Sequence, residues 1–488
     1  PQSRQTTLGS IQTALRLFVA FSGQEVTRYQ TGQGALTLEY RPRFGTIHKV
    51  FFSAYRSLED ELFTVEGAYR LSEINTNYGS DRFQDEVFLL GIGSQLRHAR
   101  NYLTINVLNL NYRGERVLGR TYQHSLRADD IRHKLLWGLT GQQEIIEDQI
   151  YEWAATDSSE YFFFTDFIDA QAQLNNARVH GFLQYEWRLS SIAQVSIGNR
   201  FNYFNLNQEW LYSPRAQLAI HPRLSDTTRT LQLRFALGVY QQSPFYRELR
   251  DFFGELNPSI RAQRSLHSVG GLDYSFRLWG RPFKLYFEGY YKHLDRIVPY
   301  QIDNVRLRYY GDNRGTGYAY GADVRLSGQF LRDIDSWISF SYLKTMEDIQ
   351  GDGQGFVRRP TDQRFQFSCY FQDELPRNPT FKFHLNMVFQ TGIPFGPPGV
   401  IENRTVFQMP TYQRVDAGIS KLLTLGNVGS GKFGVHTLWI SLEVFNLFAR
   451  QNTVSYIWVR DLYGTQFAVP NYLSQRLFNL RMIARFGK

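Results

Sequence analysis

Leu231–Tyr240 reads LQLRFALGVY and alternates without a break: Leu231, Leu233, Phe235, Leu237 and Val239 fall on one side, Gln232, Arg234, Ala236, Gly238 and Tyr240 on the other. Successive side chains of a strand point to opposite faces, so this period predicts a strand with one greasy and one polar face. The pattern returns at Phe381–Gln390, where Phe381, Phe383, Leu385, Met387 and Phe389 oppose Lys382, His384, Asn386, Val388 and Gln390. It returns again where Phe283, Leu285 and Phe287 oppose Lys284, Tyr286 and Glu288, and where Phe478, Leu480, Met482, Ala484 and Phe486 oppose Asn479, Arg481, Ile483 and Arg485. Soluble strands average about 5 to 6 residues. These runs approach 10, the length that crosses a bilayer as a tilted strand.

Composition agrees. Of 488 residues 42% are hydrophobic and 16% aromatic, the latter mostly 39 Phe and 30 Tyr. A membrane helix needs about 20 consecutive apolar residues; Leu103–Leu110, among the greasiest windows, is interrupted by Thr104, Asn106 and Asn109. A lipid-spanning barrel needs apolar residues only at alternate positions, with aromatic girdles at both interfaces. A soluble sandwich would alternate too, but over shorter strands and with its apolar face inward. The fold expected is all-β, a large antiparallel transmembrane β-barrel. Further strands are expected near 35–42, 47–56, 61–71, 102–112, 131–140, 181–189, 193–204, 215–222, 266–279, 317–330, 334–345, 363–373, 411–421 and 436–446, giving about eighteen over 35–488. Residues 1–34 are left as an N-terminal segment able to supply an early strand.

Connections alternate in length. Leu189–Ile192, Leu224–Thr228, Gly280–Pro282, Leu331–Asp335 and Glu374–Pro379 are short, whereas 141–180, 241–265, 294–316, 346–362, 391–410 and 447–475 far exceed the usual loop of about 4 to 6 residues. Short turns face the periplasm in bacterial barrels and long loops face outside, which puts Lys488 on the periplasmic side. The parity breaks upstream of about residue 130, where 72–101 is expected to hide a strand or a short helix.

The net charge is +9, with 54 basic residues, of which nine are Lys and the rest Arg. Guanidinium suits planar pairing with carboxylates and phosphates, hence lumen networks, lipopolysaccharide phosphates or an anionic ligand. The single Cys369 forms no disulfide within the chain. The start at Pro1 lacks a signal peptide, so a processed or truncated N-terminus is expected of an exported protein. GNVGSGKF around Gly426, Gly431 and Lys432 approaches a phosphate loop, but Phe433 replaces the metal-binding hydroxyl and the segment reads as a turn. The ten His lack metal-ligand spacing and His384 sits mid-strand on the polar face. DIQGDGQG (Asp348–Gly355) lacks the order of a calcium loop and reads as a mobile tip. No nucleophile elbow or placed carboxylate pair is visible. Neither an enzyme, a metal site, a cofactor nor a nucleic-acid partner is expected.

Three stretches resemble TonB-dependent outer-membrane receptors. SPFYREL (Ser243–Leu249) followed by NPSIRAQRS (Asn257–Ser265) resembles that family's mid-barrel Asn-Pro motif, with Ile260, Arg261, Ala262 and Gln263 replacing the common residues. YQRVDAGISK (Tyr412–Lys421) resembles the strand opening its C-terminal region, and LEVFNLFARQN (Leu442–Asn452) its Val-x-Asn-Leu-Phe-Asn strand end. RRPTDQRFQFS (Arg358–Ser368) and VPNYLSQR (Val469–Arg476) resemble variants from Bacteroidota. The resemblance implies a bacterial outer-membrane barrel of 22 strands around an N-terminal plug that contacts TonB, the plug and several strands being absent from this chain. It implies energised uptake of a scarce, bulky nutrient. A passive porin, or a scaffold for a surface lipoprotein or secretion partner, are the alternatives. Family barrels end in an aromatic residue, whereas here Gly487 and Lys488 follow Phe486.

Phe235, Leu285, Phe383, Leu385 and Met482 are therefore expected to meet lipid, and Arg234, Lys284, Glu288, Lys382, Asn386, Arg481 and Arg485 to face the lumen. Ligand contact is expected from outer loops that mix aromatics with charge. The residues concerned are Tyr161, Phe162, Phe163 and Phe164 in EYFFFTDF (Glu160–Phe167), Phe245, Tyr246 and Arg247 in the stretch to Phe253, and Tyr456, Trp458 and Tyr463. Packing of these aromatics over the mouth is the competing role.

Overall fold

The computed structural model describes residues 2–9, 14–43, 45–118, 133–158, 161–331, 334–375, 378–424, 434–460, 464–473 and 475–487. The strands are β1 (Gln2–Gly9), β2 (Ala14–Arg43), β3 (Thr46–Ile74), β4 (Glu86–Leu118), β5 (His133–Ser158), β6 (Tyr161–Arg188), β7 (Ala193–Phe204), β8 (Glu209–Ile220), β9 (Thr230–Gln242), β10 (Gln263–Leu278), β11 (Arg281–Ile297), β12 (Tyr300–Asp303), β13 (Arg306–Tyr309), β14 (Gly315–Leu331), β15 (Ile334–Ile349), β16 (Val357–Arg358), β17 (Phe365–Leu375), β18 (Asn378–Gln390), β19 (Pro394–Phe395), β20 (Phe407–Gln408), β21 (Tyr412–Thr424), β22 (Gly434–Phe445), β23 (Thr453–Arg460), β24 (Gln466–Tyr472) and β25 (Leu477–Gly487). One antiparallel sheet holds 19 of them. Eighteen are wall strands; the remaining one is the stub β16. Each wall strand pairs with the next in the chain, so the sheet is a meander. β12–β13, β19–β20 and β23–β24 are small hairpins in three of its connections.

The two faces are read from the register, since directly paired residues share a face. Glu61 pairs with Asn101, and Arg306 of β13 reaches across to Glu61 and Glu152, so this face is the inner one. The same face continues by pairing through Arg178↔Phe204, Phe204↔Glu209 and Arg215↔Gly238 to the row that holds Arg234. The opposite face is apolar and open: Phe235 is 50% exposed, Phe383 41% and Met482 61%, while Leu285 and Leu385 are half-buried on the same register. Toward the end with the short turns it carries an aromatic belt with Tyr40, Trp137, Tyr185 and Trp187. Gly114 leaves room for the Trp137 ring there; a Cβ would lie 2.1 Å from it.

The apolar band has an upper limit. Arg56 pairs with Asn106, and the outer row continues through Ile145 to Asn175; the next row is Leu58, Thr104, Glu147 and Gln173. At these rows the outer face turns polar, and exposed apolar side chains return on it toward the far ends of β4 and β6, at Ile92, Phe162 and Phe164. β3 nonetheless runs on from Arg56 to Ile74, roughly 60 Å at about 3.3 Å per residue, and β4, β5 and β6 rise beside it.

Two expectations are corrected by this height. The runs 47–56 and 61–71 are one strand, β3, and the interval 72–101 holds the end of β3, a turn and the start of β4, which restores the parity of the whole meander. The stretch 141–180 is not a loop: β5 and β6 pair along it up to Ser158↔Tyr161. Residues 2–9 and 14–34 supply β1 and the upper part of β2. The GNVGSGKF segment lies outside the described residues. In DIQGDGQG the Asp352 carboxylate is buried and lies 3.5 Å from Arg404.

Connections fold inward onto the upper wall. Leu17 and Val19 of β2 and Tyr69 and Leu71 of β3 bury against Val459 and Val469 of β23–β24. Ile146 and Leu174 bury against Tyr246, Leu249, Ile260 and Val298. Each such aliphatic side chain contributes roughly 1.5–3 kcal/mol, enough to hold loops that carry little regular structure. Phe235→Arg, centred in the apolar band, is expected to destabilise the folded barrel in lipid vesicles by about 2–4 kcal/mol. Arg234→Gln, one residue away on the inner face, is expected to cost less, and denaturant titration of both variants measures the difference.

Candidate functional site

Four wall strands and four connections meet in a cavity of about 450 Å³ at the upper end, the β18–β21 connection contributing Pro398 and Gly399. Phe63 of β3, Arg97 of β4, Glu152 of β5 and Asp166 of β6 form its wall. Phe252 and Phe253 come from the β9–β10 connection, Asp303 and Arg308 from β12–β13, and Trp458 and Arg460 from β23.

Ion pairs lock these parts together. Arg97 donates to Asp303 at 2.8 Å, Arg308 to Glu152 at 2.8 Å and Arg306 to Glu61 at 2.6 Å. Asn101 donates to Glu61 at 3.1 Å and to Glu152 at 2.6 Å, and the Arg306 guanidinium lies 4.4 Å from the centre of the Phe63 ring. Burial disfavours the Asp303 carboxylate, but Arg97 and Arg308 outweigh it and hold its pKa below the usual carboxylate range. Glu152 is lowered likewise, burial being outweighed by Arg308 and Arg306. Burial raises Asp166, against the pull of Arg308, Arg97 and Arg460. Chemically this is an aromatic enclosure with a fixed polar frame, the composition of a binding pocket.

The three aromatic stretches singled out in the sequence converge here in part. Phe167, Phe253 and Trp458 line the cavity. Phe162, Phe163 and Phe164 instead lie exposed on β6, in a strand and not in an unpaired loop, and Phe164 packs edge-on to Trp153. Tyr161 starts that strand by pairing with Ser158. Phe245 opens onto a second cavity below. Tyr246 is buried and donates to Asp148 at 2.7 Å, while Arg247 reaches Glu59 at 3.1 Å. Tyr456 stacks on Phe395 with ring centres 4.1 Å apart. Tyr463 lies outside the described residues.

The polar-register residues spread over the inner wall and form no single site. Arg234 and Lys284 share Asp273 at 3.0 and 3.2 Å, and Glu288 accepts from Tyr286 at 2.6 Å. Lys382 pairs with Glu374 at 2.7 Å. Asn386 lies opposite Tyr370 and Asp416, Arg481 opposite Ser441 and Arg485 opposite Thr437. Sequence reading missed Arg97, Glu152, Asp303 and Arg308; the nearest signal was the Arg306-Leu307-Arg308 alternation. The motif residues act as turn formers: Asn446 takes φ 52° and caps Arg450, and Asn257 binds the Gly311 carbonyl at 2.9 Å.

This fold is that of TonB-dependent outer-membrane receptor barrels. No family model and no curated protein matches the chain in sequence. Solved structures do. The copper transporter OprC aligns with TM-score 0.54 and 11% identity over 99% of this chain and 77% of its own. FpvA of P. aeruginosa, bound to a heterologous pyoverdine and iron, aligns with 0.53 and 11% over 96% and 67%. The outer membrane transporter YddB from Escherichia coli aligns with 0.51 and 10% over 99% and 74%.

Arg308→Ala leaves Asp303 to Arg97 and Glu152 to Arg306 at 3.5 Å. Losing the Arg308–Glu152 pair loosens β12–β13 while Arg97 and Arg306 still hold it, so faster protease cleavage within 300–309 is expected, and Arg308→Ala combined with Arg306→Ala is expected to raise it further. Acid acts in the same direction. Carboxylates with lowered folded pKa stabilise above their unfolded value near 4, and that contribution is lost as pH falls through the folded pKa. Cleavage of the unaltered protein is therefore expected to rise below about pH 4, with none of that rise between pH 6 and 8.

Proposed function

We propose that this chain is the barrel of an active transport receptor of the bacterial outer membrane, taking up a scarce, bulky nutrient. Energy comes from the inner membrane through TonB and a plug that is not among these residues. The observation that carries the reading is the mouth cavity itself. Remote connections fold inward and enclose aromatic residues, the β9–β10 and β12–β13 connections locked to the wall by ion pairs and β23–β24 by apolar packing, which is how a receptor selects a ligand before admitting it. A passive pore has no use for a locked vestibule of this kind.

Related support comes from the fold shared with transport receptors, among them those named for copper and for pyoverdine. It comes also from the motif variants resembling members from Bacteroidota. The outer face meets lipid and, at its upper limit, the phosphates of lipopolysaccharide, which Arg56 is placed to meet.

A second reading, a surface lipoprotein docked on the barrel, is favoured by one feature. Val87, Phe88, Leu89 and Ile92 at the start of β4 are exposed above the lipid band, as are Phe162 and Phe164 at the tip of β6. Exposed apolar patches of this kind mark interaction surfaces.

The test is growth of a deletion strain on a panel of metal chelates, vitamins and glycans supplied at limiting concentration, with and without the complementing gene. Complementation is expected for one class of nutrient and is expected to vanish when TonB is removed. Trp458→Ala with Phe253→Ala is expected to weaken that uptake about tenfold or more while the barrel remains at normal abundance in the outer membrane. Uptake that survives loss of TonB would make the chain a passive channel. A lipoprotein that co-purifies, and is released by charged substitutions at Phe162 and Phe164, would establish the second reading.

A further inference from the structure

Below the mouth the inner wall holds another cavity, of about 570 Å³, bordered by β5 to β11 and reached by Ser243 and Phe245 of the β9–β10 connection. Its inward residues follow from the register: His180 pairs with Asn202, Arg215 with Gly238, and Gly238 with His267. Two of its arginines are matched, Arg178 by Glu144 at 3.3 Å and Arg359 by Glu347 at 3.0 Å.

Arg200 and Arg215 are not matched. Among the described residues neither has a carboxylate within 4.0 Å, and Arg215 rests 4.8 Å from the centre of the Tyr240 ring. They are neighbours, because Arg200 pairs with Ser213, two residues before Arg215 on β8. Arg113 stands in the same inward row, through Gly138 and Phe182 to Arg200. Lys292, opposite His267, adds a further cation without a carboxylate partner among the described residues. Two buried donors on the cavity wall, Arg178 Nε and Ser265 Oγ, have no hydrogen-bond partner among the described residues. Asp295, the one acid on this wall, has Arg296 at 3.9 Å.

We propose that this cavity binds a phosphate- or carboxylate-bearing small solute between Arg200 and Arg215, with the Ser265 hydroxyl as a further donor. The guanidinium forks present paired donors in the geometry that carboxylate and phosphate oxygens accept. Like charges gathered on a low-dielectric wall focus a field that concentrates anions, and a bound anion removes the repulsion between the two guanidinium groups. Tyr240 holds Arg215 in place from the side through its ring face. As a step in transport the proposal rests on the uptake reading, but binding is measured apart from it.

The experiment is modification of the purified full chain in detergent by phenylglyoxal, followed residue by residue by peptide mass spectrometry. Inorganic pyrophosphate or citrate at millimolar concentration is expected to slow modification of Arg200 and Arg215 about fivefold or more, leaving the exposed Arg28 unaffected. Sodium chloride at equal ionic strength is expected to protect neither. Arg215→Lys keeps the charge but removes the fork, and is expected to abolish most of the protection at Arg200 in a barrel that still assembles. Equal rates with and without the anions overturn the site, as does equal protection by chloride. Protection without TonB-dependent growth would sink the uptake reading while leaving the site standing.

Discussion

A backbone that crosses lipid has no water to satisfy its amides and carbonyls, so each must find its partner within the sheet. In this chain every wall strand pairs with its successor, from β1 to β25, and among the described residues the outer edges of β1, β2 and β25 lie beyond that pairing. Once the strands are paired, the period of two decides everything else about the wall. A single register puts Phe235, Leu285 and Phe383 on the open face and Arg234, Lys284 and Lys382 on the other, and a one-residue slip anywhere would exchange them. The price of burying Arg or Lys in lipid thereby fixes the register that the backbone alone leaves free.

The same logic explains where sequence reading succeeded and where it stopped. Leu231–Tyr240 is legible because both of its faces are under strong and opposite demands, lipid on one side and a polar interior on the other. Ser57-Leu58-Glu59-Asp60 is not, because β3 has by then risen above the apolar band and both faces can be polar; the contrast vanishes while the strand continues. Gln142-Gln143-Glu144 in β5 is illegible for the same reason, which is why 141–180 read as a loop. Pairing, which persists there, leaves no mark on composition.

Part of the mouth cavity's aromatic lining is legible in the sequence. Trp458 and Phe253 stand out as aromatics in long connections, a signal that needs no knowledge of contacts. Its ionic frame was invisible, because Arg97 and Asp303 are 206 residues apart and Arg308 and Glu152 are 156 apart. No local spacing rule links such residues. EYFFFTDF shows the converse error: a dense aromatic signal suggested one site, whereas the strand pleat divides it, Phe162 and Phe164 facing outward and Asp166 inward.

The height of the wall acquires a purpose from these ion pairs. If β3 to β6 ended at the row of Arg56, Asn106 and Asn175, the sheet would still cross lipid, but Phe63, Arg97, Glu152 and Asp166 would be gone. Those residues are the fixed halves of the contacts that hold β12–β13 and face β23–β24. Hairpins as short as β12–β13, four residues a side, are marginal by themselves in water, so their position depends on what they lean against. Extending the strands lends the rigidity of a continuous sheet to connections that have little of their own. The mouth is thus built by the same hydrogen-bonded pairing that carries the chain through the membrane, continued beyond the point where lipid requires it.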